Sequence, residues 1–138
     1  KATYEGKLAT LNALRGAGNV VNYTGFVRMT NTLPRVAKVG LNELECAQIK
    51  QRYKSTIVPL ESISASNTND FRAGFVKLLI NSRMQIIGAT VVSPEADLVI
   101  QEVVLAIRSG LKIEELAGTP HVATGWAEAV RMAARELA

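Results

Sequence analysis

The stretch "AGFVKLLINSRMQIIGATVV", residues 73–92, decides the fold. Its two halves, 73–80 and 84–92, are dense in Val, Ile and Leu, and only the polar "NSR" of 81–83 separates them. Two such runs around a short polar turn predict an antiparallel β-hairpin. Gly74 and Gly88 inside it mark bulge or close-packing positions. Just downstream, Ser93 is placed to cap a helix over 94–109, with Pro94 in its first position. Ala96, Val99, Ile100, Val103 and Ile107 form one face of that helix. Leu98, Val104, Leu105 and Ala106 widen it so far that burial on most sides is expected. Gly110 ends it, "KIEELAG" (112–118) forms a short helix, and "GWAEAVRMAAREL" (125–137) forms the last one.

Upstream of the hairpin, "YKSTIVPL" (53–60) reads as a strand that Pro59 ends or pushes to a sheet edge. "ESISASNTND" (61–70) has the composition of an exposed loop. Asn42 and Glu45 are spaced as a capping box for a short helix. "TLPRVAKVG" (32–40) reads as extended or turning around Pro34, and "GFVRMT" (25–30) as a strand. Leu8, Leu11 and Leu14 give the opening segment a helical stripe. Strands bunched between helices, instead of alternating with them, predict an α+β fold with an antiparallel sheet of about four strands.

At 138 residues the chain is one domain-sized unit. It is 48% hydrophobic with a mean hydropathy of +0.14, so a partner is expected to cover some apolar surface. No apolar run is long enough to span a bilayer, and no secretory signal opens the chain, so a cytoplasmic setting is expected. The net charge of +4 comes from scattered Lys and Arg without aromatic or finger motifs, which argues against nucleic acid as a partner. The single cysteine, Cys46, excludes an internal disulfide or a CxxC site and is expected to be half-buried in a helix; no metal site is expected.

From Thr32 onward the order of motifs resembles the C-terminal dimerisation domain of the FAD-dependent pyridine nucleotide-disulfide oxidoreductases, the family of dihydrolipoamide dehydrogenase, glutathione reductase and mercuric reductase. The matching stretches are "TLPRVAKVGLNELEC", "AGFVKLLI", "IIGATVVSPEADLVIQEVVLAIRSGLKIEELAGT" and "WAEAVRMAA". "ATYEGKLATLNAL" (2–14) is similar to the helix that closes the family's FAD domain. The resemblance implies that residues 1–24 end an FAD-binding domain and 25–138 form a dimerisation domain. It also implies a homodimer whose loop reaches the partner's active site, and FAD and NAD(P)H as cofactors of a full-length parent, where Ala2 would touch the flavin. The glycine-rich dinucleotide fingerprints and the redox-active cysteine pair are not in this sequence, so the chain alone is expected to be inactive and to bind no cofactor. The alternative is a free-standing, non-catalytic dimerisation or binding module.

The family's penultimate loop reads His-x-His-Pro-Thr-x-x-Glu, and its second His, held by the Glu, is the acid/base group. Laid without gaps on "LAGTPHVATGWAEAV" (116–130), the Glu falls on Glu128, the first His on His121, the acid/base His on Ala123 and the Pro on Thr124. Inserting two residues instead makes His121 the base. The ungapped register makes His121 structural or interfacial, and Glu128 could equally be a residue favouring a helix N-terminus. Trp126 is expected to be a packing anchor at the subunit contact.

Overall fold

The computed structural model describes residues 1–16 and 18–138. One antiparallel sheet of five strands carries the fold, in the order β1-β2-β5-β4-β3. The strands are β1 (Arg28–Thr30), β2 (Arg35–Gly40), β3 (Tyr53–Pro59), β4 (Phe75–Asn81) and β5 (Ile86–Ser93). Helix α1 (Ala2–Arg15) precedes the sheet. Helices α2 (Glu43–Gln48) and α3 (Ser64–Thr68) lie between strands, and α4 (Ala96–Ser109), α5 (Ile113–Gly118) and α6 (Glu128–Leu137) follow them.

The predicted hairpin is β4–β5, in the middle of the sheet. Side chains alternate across a pleated strand, so Val76, Leu78 and Ile80 share one face and are fully buried. Val91, Ala89 and Ile86 stand opposite them. This face forms one core with Val99, Ile100 and Val103 of α4 and with Ala129, Val130, Ala133 and Ala134 of α6. Burying a side chain of the Val or Leu class contributes about 1.5–3 kcal/mol, so this shared face is the main source of stability. In the turn, the Asn81 carboxamide oxygen accepts from the Arg83 and Gln85 amides at 2.9 and 3.0 Å. The edge position of β3 and its end at Pro59 are as read from the sequence.

Four expectations about the strands and helices are corrected. The sheet has five strands, because Arg35–Gly40 pairs along its whole length with β5, from Arg35↔Ser93 to Gly40↔Gly88. Pro34 lies just before the first pair, so its missing N–H costs the ladder nothing. Residues 61–70 are not an exposed loop: a 3-10 turn (Leu60–Ser62) and α3 occupy them, with Ile63 and Ala65 buried. The Ser66 hydroxyl there donates to the Phe71 carbonyl at 2.7 Å, so the polar composition reflects internal bonding. Helix α4 starts at Ala96, later than predicted, because Ser93 ends β5 and its hydroxyl accepts from the Glu95 amide in a tight turn. Within this chain α4 buries one face only, and Leu98 and Leu105 are 65% and 64% exposed.

On the opposite sheet face, α2 has the predicted capping box: Asn42 accepts from the Glu45 amide, and Glu45 accepts from that of Asn42. Lys38–Glu45 and Lys77–Glu43 ion pairs, at 2.6 and 2.8 Å, pin it to β2 and β4. Cys46 is fully buried, not half-buried, and burial pushes its thiol pKa up, with Glu43 and Glu45 adding to the rise. Helix α1 has no fully buried residue and meets the remainder through Tyr4 edge-on to Phe26 and the Tyr23 hydroxyl donating to Glu5.

Gly88 and Gly74 are the close-packing positions read from the sequence. A Cβ on Gly88 would lie 1.9 Å from the Leu41 carbonyl oxygen, and one on Gly74 2.1 Å from that of Val92. Gly88 sits where β5 faces both neighbouring strands, so its surroundings cannot withdraw from an added methyl. Gly88→Ala is therefore expected to destabilise the chain by about 2 kcal/mol or more. Urea unfolding measures this, and an unchanged midpoint would show that the Leu41 backbone can move aside.

Candidate functional site

The loop 119–127 joins α5 to α6, and its shape follows from what anchors each end. Trp126 is 8% exposed and packs edge-on against Phe71 at 6.1 Å. It belongs to the chain's own core, which corrects its expected place at a subunit contact: the indole is consumed internally. Between the anchors the chain turns, the Gly125 amide donating to the Val122 carbonyl and the Glu128 amide to the Gly125 carbonyl. Val122 and Ala123 are left exposed at this turn.

His121 faces inward, its side chain only 5% exposed. Its Nε2 lies 2.7 Å from Oε2 of Glu102 on α4, and its Nδ1 lies 2.8 Å from the Thr119 carbonyl oxygen. Burial raises the Glu102 pKa, and the nearby imidazole opposes that rise. Glu102 was not singled out from the sequence. The available signal was a lone carboxylate within the apolar run "LVIQEVVLAI", where an acidic residue needs a partner.

Glu128 is the first residue of α6 and is 8% exposed. The Arg131 guanidinium forks it: Nε donates to Oε2 at 2.8 Å and Nη2 donates to Oε1. That fork holds the Glu128 carboxyl below the usual carboxylate range, and the field of His121 adds to the effect. The fold thus brings His121 and Glu128 into one neighbourhood, but each has another partner. Ala123 contributes only a methyl group. Each Glu128 oxygen therefore accepts from Arg131, and position 123 carries no titratable group.

Ala2 stands apart from this loop, exposed in the first turn of α1. A cleft of about 670 Å³ opens near that end of the chain, lined by Tyr23, Phe26, Arg28, Lys38 and Ile87 among others. Neither His121, Ala123 nor Glu128 lines it. Among the described residues no group of three or more His, Cys, Asp or Glu could hold a metal ion, and no helix is long and apolar enough to cross a membrane. A dinucleotide's pyrophosphate is commonly held by a glycine-rich turn at a helix N-terminus. Among the described residues no helix begins at such a turn.

Known proteins share both the sequence and the fold. Mercuric reductase of Bacillus cereus is 32% identical over 133 residues, covering 96% of this chain and 21% of that protein. The mitochondrial dihydrolipoyl dehydrogenase of Dictyostelium discoideum is 34% identical over 137 residues, covering 99% of this chain and 28% of that protein. The crystal structure of LpdA from Mycobacterium tuberculosis superposes with a TM-score of 0.90 at 25% identity, covering 99% of this chain and 30% of that one. The HOCl-induced flavoprotein disulfide reductase RclA from Escherichia coli has the same fold, with a TM-score of 0.81 at 15% identity over 91% of this chain and 30% of that one. The chain therefore spans roughly a fifth to a third of the length of the proteins it matches. Residues 27–134 match the family described as the pyridine nucleotide-disulphide oxidoreductase dimerisation domain, and the chain belongs to that family.

Proposed function

We propose that this chain serves as the homodimer-forming domain of a longer, cytoplasmic FAD- and NAD(P)H-dependent oxidoreductase. In this reading residues 1–24 are the end of the FAD-binding domain, 25–138 are the dimerisation domain, and loop 119–127 is lent to the partner's active site. One observation carries the reading. Helix α4 packs one face into the core yet leaves Leu98 and Leu105 about two-thirds exposed. They lie two turns apart on one face, and an apolar stripe of that kind suits a second copy of itself across a two-fold axis. Val122 of the loop, 73% exposed, extends the apolar surface. The peripheral position of α1 suits a segment that packs mainly against another domain, and the lone buried thiol of Cys46 suits a reducing compartment.

The loop's role in that assembly is structural and electrostatic. His121 is turned into its own domain and is not the acid/base group; the position that the resemblance assigns to that group holds Ala123. The parent's reaction then takes no proton from this loop.

Three outcomes are expected. The chain should sediment as a dimer at tens of micromolar, within reach of a standard interface. The Leu98→Glu/Leu105→Glu variant should sediment as a monomer with an unchanged far-UV circular dichroism spectrum. A monomeric wild type, or a dimeric double variant, would overturn the assignment of α4.

Titration of the chain with FAD should show no saturable quenching of flavin fluorescence in the micromolar range. Saturation there would show that the residues present hold the cofactor by themselves.

The third outcome concerns Arg131→Met, which leaves the Glu128 carboxylate without its fork. A carboxyl with a lowered native pKa stabilises the fold above the ordinary carboxylate range, and that contribution is lost as pH falls through the native value. The gap between wild-type and Arg131→Met urea midpoints should be full near neutrality and should close as the solution is acidified below the ordinary carboxylate range. A gap independent of pH would mean that Arg131 acts by packing alone.

A further inference from the structure

Two acceptors flank the His121 ring. The Thr119 carbonyl at Nδ1 can only accept, so Nδ1 must carry a proton. The 2.7 Å contact at Nε2 then needs a second proton, held either by the ring or by the Glu102 carboxyl. An imidazole between two acceptors is satisfied by two protons and no fewer. Loss of the shared one sets a nitrogen lone pair against a carboxylate oxygen. The other Glu102 oxygen, Oε1, is closed off from bulk solvent and has no hydrogen-bond partner among the described residues, so a bare carboxylate is poorly compensated there.

The charged groups that bear on the ring are Glu102 from α4 and Glu128 from α6, the latter neutralised by Arg131. From α5 the ring receives the carbonyl of its capping residue, Thr119. Between Thr119 and Trp126, His121 is the loop side chain that ties back to α4.

We propose that Glu102 is a positioning residue: with His121 it forms a one-proton clasp that holds loop 119–127 against α4 and releases the loop when that proton leaves at alkaline pH. The clasp is internal to one chain and acts whether or not the chain pairs with a second copy.

The chain contains one tryptophan, and Trp126 is the loop's second anchor, so its exposure reports an opening that spreads along the loop. Acrylamide quenching of Trp126 should be higher by roughly twofold or more at alkaline than at neutral pH, as the clasp loses its proton and the loop opens locally. Glu102→Gln separates the clasp from a merely structural contact. A carboxamide N–H donates to a neutral ring at any pH in this range, so its quenching should stay low and flat. A flat wild-type profile would overturn the proposal, as would an identical rise in Glu102→Gln with the native circular dichroism spectrum. Should Glu102→Gln fail to fold, ¹⁵N shifts of the wild-type ring decide. Nδ1 protonated at neutral pH supports the clasp, and a bare Nδ1 overturns it.

Discussion

The inward row of β4 constrains everything above it. Val76, Leu78 and Ile80 are fully buried, so α4 and α6 must lie over that face, and each must present residues small or flat enough to reach it. Helix α6 does so with Ala129, Ala133 and Ala134 around Val130, and its backbone can therefore sit close to the sheet. Helix α4 does so with Val99, Ile100 and Val103. Once both helices are seated, the span between them is set. The segment from α5 to α6 must cross it as a turn with fixed ends, Thr119 capping α5 and Glu128 opening α6.

Two side chains hold that turn from beneath, by different physics. Trp126 buries a large apolar surface against Phe71 and contributes through area and packing. His121 reaches Glu102 and contributes through a directional hydrogen bond from a ring that is nearly buried. Val122 and Ala123 lie between the two anchors and remain outside. A loop held from below at both ends presents its middle residues to whatever faces the domain. That is the geometry a lent active-site loop requires.

What could be read from the sequence follows the range of the interactions involved. The β4–β5 hairpin, the α2 capping box and the glycine stop of α4 depend on residues within a few positions, and each was legible. The strand at 35–40 was hidden because its pairing partner, β5, lies some fifty residues away, and Pro34 suggested a turn. The segment 61–70 was hidden because its serines and asparagines bond to their own backbone, while Ile63 and Ala65 alone carry the apolar signal. In the site, the positions of Ala123 and Glu128 came through the resemblance, which left His121 either structural or interfacial or, with two residues inserted, the base. Its partner was not foreseen, since Glu102 is nineteen residues away on another helix and becomes a neighbour only after folding. The anchor role of Trp126 was legible, but its place was not: composition shows that an indole must be buried, not against what.

The fork on Glu128 carries the argument one step further. A carboxylate this little exposed must find a cation or a strong donor, since leaving it bare costs more than almost any surface contact returns. In the pattern that the loop resembles, an imidazole two residues beyond His121 would meet that need, and loop and helix would have to be held in register for the pair to form. Here Arg131 meets it from the next turn of the same helix, at a spacing that α6 guarantees without help from the loop. The carboxylate is therefore satisfied however the loop lies. The loop in turn is tied down by His121 and Trp126. Arg131 thus keeps the Glu128 carboxyl below the usual carboxylate range through a contact internal to α6.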